Sequence, residues 1–239
     1  MKGRRVLALG CLVCFLVAPD TGAAASAAAA TAAGALDLLS SKDASAGLKA
    51  ALSQSVNRAV QQLGVADGFL SNPKVTIPLP SAFRDIEPAL RLLGHGGDAD
   101  DLKASLNHAA EAAVSEAAPI LKKSLRNMTL ADAKGILGGG EDSATQFFRR
   151  SAGDELRSRF RPIVARATAQ VKLAGLYDRF AGQAAQYGLL GGSETNMNDY
   201  VTDKALDGLF IVMADEERAI RKDPLGQASA IIRKVFGAQ

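Results

Sequence analysis

At 239 residues the chain is long for one domain and short for two, and its 48% hydrophobic and 22% charged residues are ordinary globular values. Tryptophan is absent and aromatics reach only 5%, while alanine abounds, which disfavours a β-sandwich and suits helices that meet through small residues. The net charge of +3 belongs largely to the first 25 residues; without Lys2, Arg4, Arg5 and Asp20 there remain 25 basic and 24 acidic residues, and no general affinity for nucleic acid or anionic membrane is expected.

In chain order, "MKGRR" is a basic n-region, residues 6–18 are apolar, and "TGAAASAAAA" follows with A-x-A cleavage options, of which residues 23–25 fit best. This pattern reads as a cleaved signal peptide over 1–25 and predicts a periplasmic protein. The apolar run falls short of the roughly 20 residues that span a bilayer, and no later segment is long enough. Lipoprotein anchoring at Cys11 is set aside, because cleavage there leaves only five residues as h-region. Cys11 and Cys14 both lie in the signal, so the mature chain carries neither disulfide nor thiol chemistry.

Residues 26–35 are a low-complexity leader, and 36–239 read as one all-α domain of about eight or nine helices. Leu48, Leu52, Val56, Ala59, Val60 and Leu63 form one helical stripe, capped by Ser41 or Asp43 and ended by Gly64. The stretch "DGFLSNPKVTIPLP" then breaks the pattern. Pro78 and Pro80 lack N–H groups, which excludes a central strand and predicts an extended strap over 72–80, with Val75, Ile77 and Leu79 inward. The plainest reading is a packed connector; a lid or a docking edge for another chain is the alternative.

Ser81 opens a helix that contains Pro88, where a kink or break is expected. Asp98 caps an alanine-rich helix with Leu102, Leu106, Ala109, Ala110 and Ala113 on one face, and Pro119 kinks or restarts it. Thr129 and Asp132 match a capping box, and glycines 138–140 end that short helix. "SATQFFRR" and a separate helix from Asp154 follow, then helices over 174–187, 199–222 and "GQASAIIRKVF".

Sites are sparse. His108 precedes Glu111 by three, but lies well off the leucine stripe and points to solvent; His95 sits among glycines. No G-x-S-x-G elbow or phosphate loop is present, so neither metal nor cofactor is expected. Over 149–179 eight basic residues face three acids, and over 194–217 seven acids face one lysine. Both segments read most simply as solvated faces. The sharper alternatives are that arginines cross to the acidic helix and set helix order, or that they bind an anionic ligand. On the helix 199–222 the stripe Val201, Ala205, Leu209, Val212, Met213, Ala219 and Ile220 places Glu216 among apolar residues. A carboxylate there needs a partner, and Arg149, Arg150, Gln146 and Asn107 are the candidates. A buried ion pair that sets register is the plainer reading, and the polar floor of a binding pocket the functional one.

Three stretches, "AGLKAALSQSVNRAVQQLGVADGFLSNPKVTIPLP", "ATQFFRR" and "VTDKALDGLFIVMADEERAIRKDP", together resemble the bacterial family catalogued as domain of unknown function 4197. The resemblance spans about 36–236 and implies an exported, mostly helical protein of a Gram-negative envelope, with no assigned activity or catalytic residues. Pro88 stands where members usually have lysine, and His108 where arginine is usual. The expected function is therefore non-catalytic binding of an envelope protein or a small amphiphile. An envelope hydrolase using a buried carboxylate such as Glu216, and a structural or stress-related factor, are the rivals. The oligomeric state is not legible.

Overall fold

In the computed structural model the chain divides into two compact units, Met1–Leu38 and Leu39–Gln239. Residues 41–92, 96–169 and 196–223, all in the second unit, are the ones the structure describes. Among them there are seven helices and no strand. These are α1 (Ser41–Leu63), α2 (Ser81–Leu92), α3 (Gly96–Val114), α4 (Ala117–Asn127), α5 (Leu130–Leu137), α6 (Ser143–Thr168) and α7 (Met197–Lys222). The all-α class holds, with fewer helices than the eight or nine expected. The helices expected over 174–187 and near the C-terminus, like the signal peptide and leader, lie outside the described residues.

One reason for the lower count is α6. Asp154 does not start a helix, because Phe148, Ala152, Leu156, Phe160 and Val164 form an unbroken buried stripe at four-residue spacing. Burial along that stripe outweighs the helix-weakening glycine at 153 and carries the helix through Pro162. Likewise α2 runs through Pro88 as one helix. By contrast, α3 ends at Val114 and α4 restarts with Pro119 in its first turn, where a missing N–H costs little.

Helix α6 packs on both α7 and α3, and α3 also packs on α7, so these three form the centre. Helix α1 packs on α7 and α4, burying Leu48, Leu52, Val56, Ala59 and Leu63 as its stripe predicts. The charge segments meet as antiparallel partners. Arg149 pairs with Asp207 at 3.4 Å, Arg157 with Asp203, and Arg161 with Asp199 at 2.8 Å. As the α6 residue advances the α7 residue recedes, which is the register of antiparallel helices. The arginine side chains are 40–60% exposed, so each pair adds only about 0–1 kcal/mol. Their role is to select helix order and direction, while the apolar stripe supplies the stability.

The segment after α1 is not a continuous extended strap over 72–80. Val75 N and Thr76 N both donate to Asn72 O, which closes a turn over 73–75, and the unbroken run without turn or helix structure is 76–80. Pro73 starts this turn because its fixed φ suits one. The expected inward side chains are nonetheless buried, with Val75, Ile77 and Leu79 at 6%, 1% and 5% exposure. Phe69, fully buried, fits because Gly208 on α7 has no side chain; a Cβ there would lie 2.5 Å from the Phe69 ring.

Candidate functional site

Of the five sequence-predicted site residues, Gln146 and Arg150 share one place, and Asn107, Arg149 and Glu216 each lie elsewhere. Glu216 is not in the apolar face. It sits at the edge of α7, pairs with Arg58 of α1 at 3.4 Å and meets neither Arg149 nor Arg150. The buried carboxylate is its neighbour Glu217, 4% exposed. The helix phase is set by Tyr200, Leu206, Phe210 and Met213 as well as the aliphatic stripe, and this wider buried face turns Glu217 inward.

Glu217 explains how α6 begins. Asp142 at its N-cap makes no side-chain cap. Instead Ala144 N and Thr145 N each donate to the Glu217 carboxylate at 2.9 Å, joined by the Thr145 hydroxyl at 2.9 Å. A carboxylate from another helix thus satisfies the open N–H groups of the first turn and the positive end of its dipole. Arg221, one turn further along α7, donates to Glu217 at 3.0 Å and also to Ile136 O and Ser143 Oγ. One node therefore ties together α5, α6 and α7.

Asn107, on α3, is fully buried and holds the connector. Ile77 N donates to its Oδ1 at 2.8 Å, and its Nδ2 donates to Ile77 O at 3.0 Å and Lys103 O at 2.8 Å. The side-chain amide thereby replaces the missing strand partner of Ile77. One turn along, Glu111 accepts from Phe69 N at 3.0 Å, Asp67 N at 3.2 Å and Leu70 N at 3.4 Å. Those bonds hold Asp67 at φ +62, in the left-handed region. His108 is exposed as expected and meets the Asp67 carboxylate at 3.2 Å. Among the described residues no cluster of metal-binding side chains forms.

Arg150 and Gln146 belong to a different place, a groove between α4, α5 and the start of α6. It has two hollows, of about 300 and 410 Å³, which share Asp132, Phe147 and Arg150. Ser124, Asn127 and Ser151 line the first hollow, and Gly135, Ile136, Gly140, Asp142 and Gln146 the second. Phe147, 7% exposed, is its apolar floor, edge-on to Phe148 at 5.7 Å. The missing side chains of Gly135 and Gly140 leave open space, since a Cβ at either meets nothing within 4 Å.

The charges of the groove are arranged around that floor. Asp132 closes the capping box of α5: Thr129 Oγ1 donates to it at 2.6 Å and Thr129 N at 2.9 Å. The Thr129 hydroxyl foremost, then its N–H, hold the Asp132 carboxyl below its ordinary value of 3.8, and Arg150 adds a smaller push in that direction. Asp142 accepts from Gln146 Nε2 at 3.4 Å. Arg150 is the one cation in the lining, and among the described residues it makes no hydrogen bond or ion pair. Its neighbour Arg149 is committed elsewhere, to Asp207 and to the Phe210 ring at 4.6 Å.

Two of the five predicted residues therefore share a groove, while Asn107, Glu216 and Arg149 serve the frame. Sequence reasoning used Asp132 only as a cap and did not single out Ser124, Asn127 or Ser151. Their signal is faint, because polar residues at helix ends are ordinary. No curated protein and no solved structure matches the chain. The family described as "Protein of unknown function (DUF4197)" matches residues 38–237, most of its length, and the chain belongs to that family.

Proposed function

We propose that this is an exported protein of the bacterial envelope that works by binding a small ligand in the α4–α5–α6 groove. Export rests on the basic, apolar and small-residue sequence of the first 25 residues. Among the described residues no helix is long and apolar enough to cross a membrane. The observation that carries the binding reading is Arg150, a guanidinium without a hydrogen-bond partner between two hollows of about 300 and 410 Å³. Hollows of that size suit a small molecule.

The hydrolase reading has less support. Glu111 and Glu217, the buried carboxylates, are saturated with donors and line neither hollow, and Glu216 is held by Arg58. A general acid or base needs a free proton site facing a substrate. The amphiphile expected from sequence is also less favoured than a polar ligand, since Phe147 and Ile136 are the main apolar lining.

Two measurements test this. Protein recovered from the periplasmic fraction should begin close to residue 26, and an intact N-terminus in the cytoplasm refutes export. Small molecules extracted from envelopes should raise its melting temperature. Gly135→Trp, whose side chain enters open space in the groove, should abolish the rise. An extract without effect on the unaltered protein refutes binding.

A further inference from the structure

We infer that the ligand class of this groove is a small zwitterion, a cation and an anion joined by a short polar spacer. The inference rests on the binding reading above and on the charges that meet there. Arg150 faces both hollows, and Asp132, shared by both, lies close enough for the two charges to act on one another. Asp142 adds a second carboxylate to the lining of the larger hollow. Two carboxylates and one guanidinium make the lining bipolar rather than simply acidic or basic.

Each simpler ligand meets a penalty that a zwitterion avoids. A lone anion drawn to Arg150 is repelled by Asp132, which Thr129 keeps ionised far below neutral pH. A lone cation drawn to the carboxylates is repelled by Arg150. An uncharged molecule strips water from the guanidinium and gives it no counter-charge in return, so the bonds it offers are the weaker neutral kind. A zwitterion places its anion on Arg150 and its cation on a carboxylate, so each sign of charge in the lining meets an opposite charge. The amide of Gln146, which lines the larger hollow beside Asp142, supplies hydrogen bonds for the spacer.

The same chemistry occurs in a short peptide with free ends and in an ethanolamine phosphate headgroup. Isotope-labelled protein, as recovered after export, is titrated by NMR with trialanine and with glycerophosphoethanolamine. Saturable shifts at Gly135, Gly140 and Gln146 from either probe support the inference, and the tighter probe identifies the source. Arg150→Gln and Asp142→Asn should each weaken that probe by roughly tenfold or more, as expected for loss of a charge-assisted hydrogen bond. Both residues are at the surface and no buried contact depends on either, so the variants should fold as the parent does.

The controls carry one charge each: N-acetyl-trialanine and trialanine amide. If either binds as tightly as trialanine, or if Arg150→Gln binds unchanged, the zwitterion is wrong. It is also wrong if neither zwitterion moves those three resonances through the millimolar range. Stabilisation by envelope extract would then leave the groove standing with another ligand class, and its absence would remove both readings.

Discussion

Replacing Glu217 with alanine removes the carboxylate that starts α6. Ala144 N, Thr145 N and the Thr145 hydroxyl lose their acceptor. Arg221, its side chain 14% exposed, loses its counter-charge while keeping Ile136 O and Ser143 Oγ. Loss of a helix N-cap costs about 0.5–2 kcal/mol. Breaking a buried ion pair by removing one partner costs about 3–5 kcal/mol. One carboxylate carries both effects, so they overlap, and the expected loss is about 3–5 kcal/mol out of a total stability of about 5–15 kcal/mol.

The neighbouring Glu216→Ala breaks only the Arg58 pair, whose side chains are 43% and 24% exposed, and should cost about 0–1 kcal/mol. Urea unfolding followed by far-ultraviolet circular dichroism measures both, with an unchanged denaturant slope as the check on two-state behaviour. The double variant Glu217→Ala with Arg221→Ala should cost less than the sum of the two single losses, because neither charge is then stranded. The reasoning fails if Glu217→Ala costs less than about 1 kcal/mol or no more than Glu216→Ala.

Asn107→Ala leaves the buried N–H and C=O of Ile77 unpaired and should cost about 2–5 kcal/mol; faster amide exchange at Ile77 would locate the damage. Gly153→Ala should stabilise α6 by about 0.5–1 kcal/mol in the same unfolding assay, because the new methyl meets nothing within 4 Å. Thr129→Ala should raise the Asp132 titration towards 3.8, read by carboxyl NMR. Since the folded value is depressed, its stabilisation is present above 3.8 and lost as pH falls through the folded value; the variant should therefore flatten that acid limb.

Local rules made much of this legible in advance. The capping box of Thr129 and Asp132, the restart at Pro119 and the apolar stripe of α1 each depend on residues within a few positions of one another. Charge pattern along the chain also suggested that the arginine and aspartate segments meet, and Arg149, Arg157 and Arg161 do cross to α7. The break expected at Asp154 was a local reading that lost to the buried stripe of α6.

Sequence by itself therefore determined the helical class, most helix starts and stops, and the presence of an export pattern, because these follow from spacing and turn chemistry. Tertiary structure alone decided that Glu217 rather than Glu216 is buried. One residue on a helix is a rotation of about 100°, and packing on two sides sets that phase. It alone made Asn107 the partner of Ile77, 30 positions away. It alone joined Asp132, Phe147 and Arg150 in one groove, since a hollow is a property of where three helices fail to touch, and no local pattern encodes that gap.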